Sequence, residues 1–290
     1  MMAQTAWWSW WTPGVLAPVA LIGVLYGWIF WGPVRESIPD STPPTAKEAV
    51  LFYTALLGIY AALGSPLGVW AMTSSFIMHM VQHMIAGMAV PPLLIYGIPA
   101  WVWRRMADAP RLGRAFRFLT RPLIALIVFN AVFGVMITPP VITQMVHSMA
   151  DMVGWHVLLV VTGVFMWWPL VSPLDEMPRL HPGMQILYLF LDGLAMFLPL
   201  AIVTVNETSL YVAAYGGAPR FLGLSLLAEQ QLGGAICLSI VHVEYLVLGV
   251  TRLRAWIHLE RVKYPQPTEL RVVRPGDTAA SASPAAVFRH

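Results

Sequence analysis

The chain has 290 residues, of which 58% are hydrophobic and 11% charged, with a formal net charge of +3. A soluble domain carries about 25% charged residues, so this composition excludes an ordinary water-soluble fold and predicts a multi-pass membrane protein. Cys237 is the sole cysteine, which excludes an intrachain disulfide and a thiolate metal cluster. Nothing in the sequence indicates nucleic-acid binding.

Seven hydrophobic segments are long enough to cross about 30 Å of hydrocarbon at about 1.5 Å per helical residue. They cover residues 15–31, 48–64, 80–103, 121–138, 153–171, 184–204 and 230–250. No charged residue precedes Arg35, so the basic region of a cleavable signal peptide is missing and the first segment is expected to be retained. We therefore predict an all-α, polytopic membrane helix bundle with seven transmembrane helices in residues 1–264. Residues 265–290 are rich in Pro, Ala and Ser and are predicted to form a disordered cytoplasmic tail.

The positions of the basic residues predict the orientation of the bundle. If the N-terminus is outside, all of the 17 lysine and arginine residues except Arg220 fall in inner loops or in the C-terminal tail. Cytoplasmic loops accumulate Lys and Arg, so the pattern predicts an outer N-terminus and a cytoplasmic C-terminus. The outer loops are then residues 65–79, 139–152 and 205–229, and a short surface helix is expected after Pro139 and Pro140.

Two histidines mark the outer start of the third segment. His79 and His83 are four residues apart, so they project from one face of a helix. Met80, Met84 and Met88 form a neighbouring stripe at the same spacing. Imidazole and thioether groups favour Cu(I) over hard cations, so this pattern predicts a copper site. The alternative is that the histidines bond to neighbouring backbone and the methionines are lipid-facing filler.

Further candidate ligands precede and enter the fifth segment: His147, Met149, Asp151, Met152 and His156. On one continuous helix, Met149, Met152 and His156 would share a face. His156 would lie about one turn inside the segment, where it could approach the histidines of the third segment. His147 and Asp151 would share another face, either as ligands or simply as a solvated pair.

A polar run from Glu229 to Gly234 opens the seventh segment. Glu229 can cap the helix and the paired glycines permit close helix packing, and a ligand or supporting role for Glu229 is the alternative. Asp192, His242 and Glu244 lie deeper in the sixth and seventh segments. They are expected to form a buried polar network that joins two helices, and an ion or proton path is the alternative.

The run His79-Met-Val-Gln-His83, followed by Pro91-Pro92-Leu93-Leu94 and Gly97-Ile98-Pro99, resembles the signature of the seven-helix bacterial CtaG family. Members of that family are assembly factors for cytochrome c oxidase. His156 with Gly163 and Trp167-Trp168-Pro169, and the run from Glu229, are similar to the family as well. The resemblance covers residues 48–250.

The resemblance implies a role in maturing the copper centres of a haem-copper oxidase, with the binuclear copper site of its second subunit as the expected target. The implied copper-site residues are His79, His83, His156 and Glu229. The chain has Glu229 where the family usually has Asp, Cys237-Leu238 where it has Met-Trp, and Met152 where it often has His. Methionine keeps a soft ligand at that last position.

The leading hypothesis is a non-enzymatic assembly factor of the bacterial plasma membrane, which holds Cu(I) at the outer face and passes it to an oxidase subunit. Three alternatives stay open at this point. The chain could be a permanent accessory subunit of a respiratory complex without its own metal. It could be a haem-binding redox protein with His83 and His156 as axial ligands, or a copper transporter that uses Asp192, His242 and Glu244.

Overall fold

The computed structural model describes residues 12–263, and within them every regular element is a helix. The helices are α1 Pro13–Trp31, α2 Pro33–Glu36, α3 Ala46–Leu63, α4 Pro66–Thr73, α5 Phe76–Met84, α6 Val90–Gly97, α7 Ala100–Asp108, α8 Leu112–Leu119, α9 Pro122–Met136, α10 Pro139–His147, α11 Met149–Val171, α12 Pro182–Val205, α13 Val212–Tyr215 and α14 Leu226–Lys263. A π-helical turn, Ile85–Ala89, joins α5 to α6, and a 3₁₀ turn covers Phe221–Gly223. The predicted tail, 265–290, lies outside the described residues.

Six helical units of the described chain are long and apolar enough to cross a membrane: Pro13–Trp31, Ala46–Thr73, Phe76–Gly97, Met149–Val171, Pro182–Val205 and Leu226–Lys263. A seventh span is possible if α8 and α9 count together, although an 85° bend separates them. The all-helical membrane fold is therefore confirmed, with six spans and up to seven. The outer position of the N-terminus stays a prediction.

The third span differs in detail from the predicted segment 80–103. It begins at Phe76, because the Ser75 side chain accepts a hydrogen bond from the Met78 N–H at 3.3 Å and caps the helix. It ends at Gly97, because Ile98 is extended before Pro99. His79 therefore lies inside the first turns of a helix and not in a loop.

Prolines shape the middle of this span. Pro91 and Pro92 have no N–H for the helical ladder, and the π turn before them lets the Val90 N–H bond to the Ile85 carbonyl. Gly163 of α11 packs against this point, where an added Cβ atom would lie 2.6 Å from Pro91 Cγ. Only glycine allows this approach, which brings α11 close to the span that carries His79 and His83.

The predicted surface helix after Pro139 is observed as α10, and Met149, Met152 and His156 lie together on α11, but a break at Ser148 separates His147 from Asp151. Ser148 is extended, with φ −141°, and its side chain caps α11 by accepting from the Asp151 N–H at 3.2 Å. Because of this break, the side chains of α10 and α11 do not follow one helical register. His147 and His156 lie on different helices.

The three deep ionisable groups do not form one network. Asp192 is fully buried and accepts hydrogen bonds from the Asn130 side-chain amide of α9 and the Tyr245 hydroxyl of α14. His242 is exposed at the surface of the bundle. Its Nδ1 lies 2.6 Å from the Leu238 carbonyl oxygen of its own helix. Glu244 lines a separate groove beside Met84 and Met88. The polar link between helices is therefore present, but its partners are Asn130 and Tyr245 and not His242 and Glu244.

Candidate metal centre

Three imidazoles from two helices meet inside the bundle. His79 and His83 come from successive turns of α5, and His156 comes from the second turn of α11. Their ring centres are 4.8 Å apart for His79 and His83, 5.1 Å for His83 and His156, and 6.2 Å for His79 and His156. None of the three is more than 1% exposed. The predicted meeting of the two helices at these residues is thus observed, and we call the three residues the imidazole cluster.

The hydrogen bonds of His79 define its tautomer. Its Nδ1 lies 3.0 Å from the Tyr215 hydroxyl, and that hydroxyl is 2.6 Å from the Ala71 carbonyl oxygen. A carbonyl can only accept, so the single hydroxyl hydrogen goes to Ala71 and Nδ1 of His79 must donate its own. Burial, followed by the nearby Glu229 carboxylate, raises the pKa of Tyr215, so the phenol keeps this hydrogen. Nε2 of His79 therefore carries a lone pair, and it has no hydrogen-bond partner among the described residues.

The same reasoning applies to His156. Its Nδ1 lies 2.8 Å from the Met152 carbonyl oxygen, which can only accept, so Nδ1 is the donor. Its Nε2 is also buried and without a hydrogen-bond partner in the described part of the chain. Histidines that bind metals typically donate their other N–H to a carbonyl or a similar acceptor, which orients the ring. Both residues show this arrangement.

His83 differs from its two neighbours because neither of its ring nitrogens has a hydrogen-bond partner within residues 12–263. Its ring meets Phe133 edge-on, with 6.2 Å between ring centres. Packing alone holds this imidazole, so it can rotate at lower cost than the other two.

The spacing of the rings can be compared with that around a metal ion. Metal–nitrogen bonds of about 2.0 Å would place three ring centres about 5.5 Å from one another. The observed 4.8, 5.1 and 6.2 Å bracket this value. However, no three His, Cys, Asp or Glu side chains of the described residues stand so that they could hold one ion together. Binding an ion would therefore require a side chain to rotate, and His83 is the one that no hydrogen bond restrains.

Glu229 supports the cluster from α14. It is fully buried, and its Oε2 accepts a hydrogen bond from the Phe76 N–H at 3.4 Å. This carboxylate thus lies at the N-terminus of α5, where a negative charge interacts favourably with the helix dipole. The contact fixes the first turn of the helix that carries His79 and His83. The sequence predicts Glu229 as a cap of its own helix, whereas this hydrogen bond joins it to the first residue of α5.

Four further residues were predicted as ligands, and three of them are more exposed than the imidazole cluster. His147 is exposed and its Nδ1 bonds to the Thr143 carbonyl at 2.7 Å, and no ring contact joins it to the cluster in the described chain. Met149 is exposed and Asp151 half-buried. Met152 is buried, and the contact it makes with His156 is through its backbone carbonyl. A ligand role for these four residues stays a prediction.

The methionine stripe is part of the protein core. Met80, Met84 and Met88 are all buried, which makes the interpretation as lipid-facing filler wrong. Cys237 is buried beside them, with its sulfur 3.5 Å from the Met80 carbonyl oxygen. The three methionines and Cys237 are therefore all part of the buried core.

Comparison with known proteins agrees with the resemblance seen in the motifs. The model of the cytochrome c oxidase caa3 assembly factor family matches residues 4–258. The chain is 25% identical to an uncharacterized protein of Mycobacterium bovis in an alignment of 208 residues. This alignment covers 65% of this chain and 31% of that protein. It is 24% identical to an uncharacterized protein of Mycobacterium leprae, over 63% of this chain and 30% of that protein.

The chain thus spans less than a third of the length of these curated relatives. No solved structure matches it. The family match covers nearly the whole chain and includes all three members of the imidazole cluster. The chain therefore belongs to the cytochrome c oxidase caa3 assembly factor family.

Proposed function

We propose that this chain is a copper-handling assembly factor for cytochrome c oxidase, and that His79, His83 and His156 bind Cu(I) as cargo. One observation carries the proposal: the hydrogen bonds to Tyr215 and Met152 leave the Nε2 lone pairs of His79 and His156 buried, with no partner among residues 12–263. A buried polar atom without a hydrogen bond costs about 1–3 kcal/mol. A bound ion would remove that cost at all three residues.

The character of the cluster favours a monovalent, soft ion. Its ligands are neutral imidazoles in a dry interior, and the cost of burying a charge rises steeply with the size of the charge. Imidazole nitrogens suit copper, whereas Mg²⁺ and Ca²⁺ prefer oxygen ligands, which three imidazoles do not offer. These features support Cu(I) in preference to a divalent ion.

The cluster is also suited to release. A saturated site with four fixed ligands holds its metal tightly, whereas a cargo site must exchange it. His79 and His156 are held by hydrogen bonds, while His83 is restrained by packing alone. In our proposal His83 completes the site by rotation and opens it again when the copper leaves. No covalent chemistry on a substrate is part of this role, so the protein acts without being an enzyme.

The proposed setting is the bacterial plasma membrane, with the N-terminus outside. The distribution of basic residues supports this orientation, which places the imidazole cluster near the outer face. The proposed recipient is the copper-bearing second subunit of the oxidase, which would dock on the outer loops. Membership of the assembly factor family supports an oxidase partner.

A metal-free accessory subunit is the second candidate. It is favoured by the fact that no three potential ligands of the described chain already surround one point. Haem binding is less compatible with the geometry, because axial imidazoles on opposite sides of one iron have centres about 6 Å apart with a porphyrin between them. The centres of His83 and His156 are 5.1 Å apart. The separation of Asp192, His242 and Glu244 likewise gives a transporter no continuous polar path.

The test is metal analysis of the full chain, purified in detergent under reducing conditions after loading with Cu(I). The double variant His79→Ala, His83→Ala should lose most of the bound copper. The control is His147→Ala, His242→Ala, which removes two exposed histidines and should keep it. Equal copper contents in wild type and both double variants would contradict the proposal and favour the accessory subunit.

A further inference from the structure

A cavity of about 290 Å³ lies at the opposite end of the bundle from the imidazole cluster. Trp168, which lines it, follows His156 on α11 by twelve residues, or about 18 Å along the helix axis. Arg117, Thr120, Arg121 and Glu176 also line the cavity. This is the end of the bundle that carries the basic loops.

One positively charged side chain beside the cavity, Arg121, is available to bind an anion. Arg117 is paired with Asp108 at 3.0 Å, and Glu176 is paired with Arg104 at 2.8 Å. Arg121 has no ion pair or side-chain hydrogen bond within residues 12–263, and its guanidinium lies 5.7 Å from the centre of the Phe118 ring. Arg121 therefore contributes a positive charge that no carboxylate of residues 12–263 neutralises through an ion pair.

Trp168 adds a hydrogen-bond donor. The residue is 2% exposed, and its indole N–H has no hydrogen-bond partner in the described part of the protein. Its ring is held by edge contacts with Trp103 and Phe116, whose centres are 5.2 and 4.7 Å away. A buried N–H without an acceptor costs about 1–3 kcal/mol, so a ligand with an acceptor oxygen would stabilise this arrangement.

The helix beside the cavity indicates where the ligand comes from. The bend of 85° between α8 and α9 turns α8 toward the plane of the membrane if α9 crosses it. On α8, Leu112 and Phe118 are exposed, as is Leu123 at the start of α9. Apolar groups beside a basic cavity at this depth match a phospholipid, whose acyl chains would lie along these residues.

We propose that this cavity binds the phosphate group of an anionic phospholipid, with Arg121 and the Trp168 indole N–H as its principal ligands. The phosphate oxygens accept hydrogen bonds from both groups, and charge-assisted bonds to a guanidinium are the stronger of the two. Arg117 lies at the rim and adds positive potential. A bound lipid would fix the bent connection between α8 and α9 and so anchor this end of the bundle.

The test compares lipid binding by two single variants that each remove one positive charge. Arg121→Gln removes a lining residue at the start of α9, whereas Arg111→Gln removes an exposed arginine at the start of α8. Full-length protein in a neutral detergent is titrated with phosphatidylglycerol and, separately, with phosphatidylcholine, and bound lipid is counted by native mass spectrometry. We expect Arg121→Gln to weaken phosphatidylglycerol binding roughly tenfold, which corresponds to about 1.4 kcal/mol, and Arg111→Gln to leave it nearly unchanged.

A second variant and a competition experiment also test the proposal. Trp168→Phe retains the aromatic packing and should also weaken phosphatidylglycerol binding, while copper binding by the imidazole cluster stays normal and reports an intact fold. Inorganic phosphate should compete only weakly, because it lacks acyl chains. Equal losses in Arg121→Gln and Arg111→Gln, or equal binding of both lipids, would overturn the proposal. Complete displacement by inorganic phosphate at low concentration would show a site for a soluble anion instead.

Discussion

The imidazole cluster and the surroundings of Asp192 are both buried and polar, yet their hydrogen bonds are used differently. Both oxygens of the Asp192 carboxylate accept a hydrogen bond, one from Asn130 and one from Tyr245. In the imidazole cluster the donor nitrogens of His79 and His156 are fixed, while their Nε2 atoms have no partner in the described chain. A satisfied buried group joins helices, whereas an unsatisfied but oriented group has the properties of a ligand site. Two changes test this contrast, and a third measures an exposed ion pair for comparison.

The largest effect on stability is expected for Asp192→Ala. Loss of the carboxylate leaves the Tyr245 hydroxyl without its acceptor and the Asn130 amide with only the Leu126 carbonyl, which should cost about 1–3 kcal/mol of unfolding free energy. Denaturant unfolding in mixed micelles measures this cost. Glu244→Ala is the control, because it also removes a carboxylate, but one on α14 that lines a groove at the bundle surface. Copper content per folded Asp192→Ala protein should equal that of wild type, and a selective loss of copper would contradict the structural role.

The next effect is on metal binding and is expected for Tyr215→Phe, which also loses the hydrogen bond to the Ala71 carbonyl. The variant removes the hydroxyl that accepts from Nδ1 of His79, so the imidazole loses its fixed tautomer and orientation. Such losses around metal-bound histidines weaken binding about 10- to 100-fold, and a competition titration with a Cu(I) chelator measures the change. Tyr211→Phe is the matched control, because its hydroxyl bonds to the Ile137 carbonyl and contacts no imidazole. Equal copper affinity in the two variants would show that Tyr215 does not position His79.

The smallest effect is expected at an exposed pair outside the membrane. Hydrogen bonding to its own backbone N–H, and then to Arg104, lowers the pKa of Glu176. A carboxyl with a lowered folded-state pKa stabilises the protein above its ordinary pKa, and this contribution is lost as the pH falls through the lowered value. The melting temperature of Glu176→Gln should therefore lie slightly below that of wild type at neutral pH, and the two should converge in acid. A difference that grows in acid would contradict this sign.

The hydropathy of the sequence was sufficient to locate six of the seven predicted spans, because a helix that crosses a bilayer must be long and apolar. The segment 121–138 corresponds to α9, which counts as a span only together with α8, across a bend of 85°. The spacing of His79 and His83 likewise placed them on one face of α5. The break at Ser148 was missed, since a serine in a polar stretch can continue a helix or cap the next one. The extended backbone of Ser148 depends on how α10 packs against its neighbouring helices, which local sequence does not reveal.

The groups that orient the site could not be predicted. Tyr215 contacts His79 across 136 positions of the chain, and the acceptor for His156 is the backbone of Met152 and not its thioether. The partners of Asp192 are Asn130 of α9 and Tyr245 of α14, whereas the ionisable His242 and Glu244 of α14 make no hydrogen bond to it. Each of these contacts depends on helix rotation within the bundle. The oriented lone pairs, which carry the proposed function, therefore became visible only in three dimensions.

X-ray absorption of the Cu(I)-loaded full chain tests the central claim most directly. We expect a first shell of two or three imidazole nitrogens at about 2.0 Å. His83→Ala should lower the number of nitrogens by one, while His147→Ala should leave the spectrum unchanged. A first shell dominated by sulfur, or one that His83→Ala does not alter, would contradict the assignment of the copper site to His79, His83 and His156.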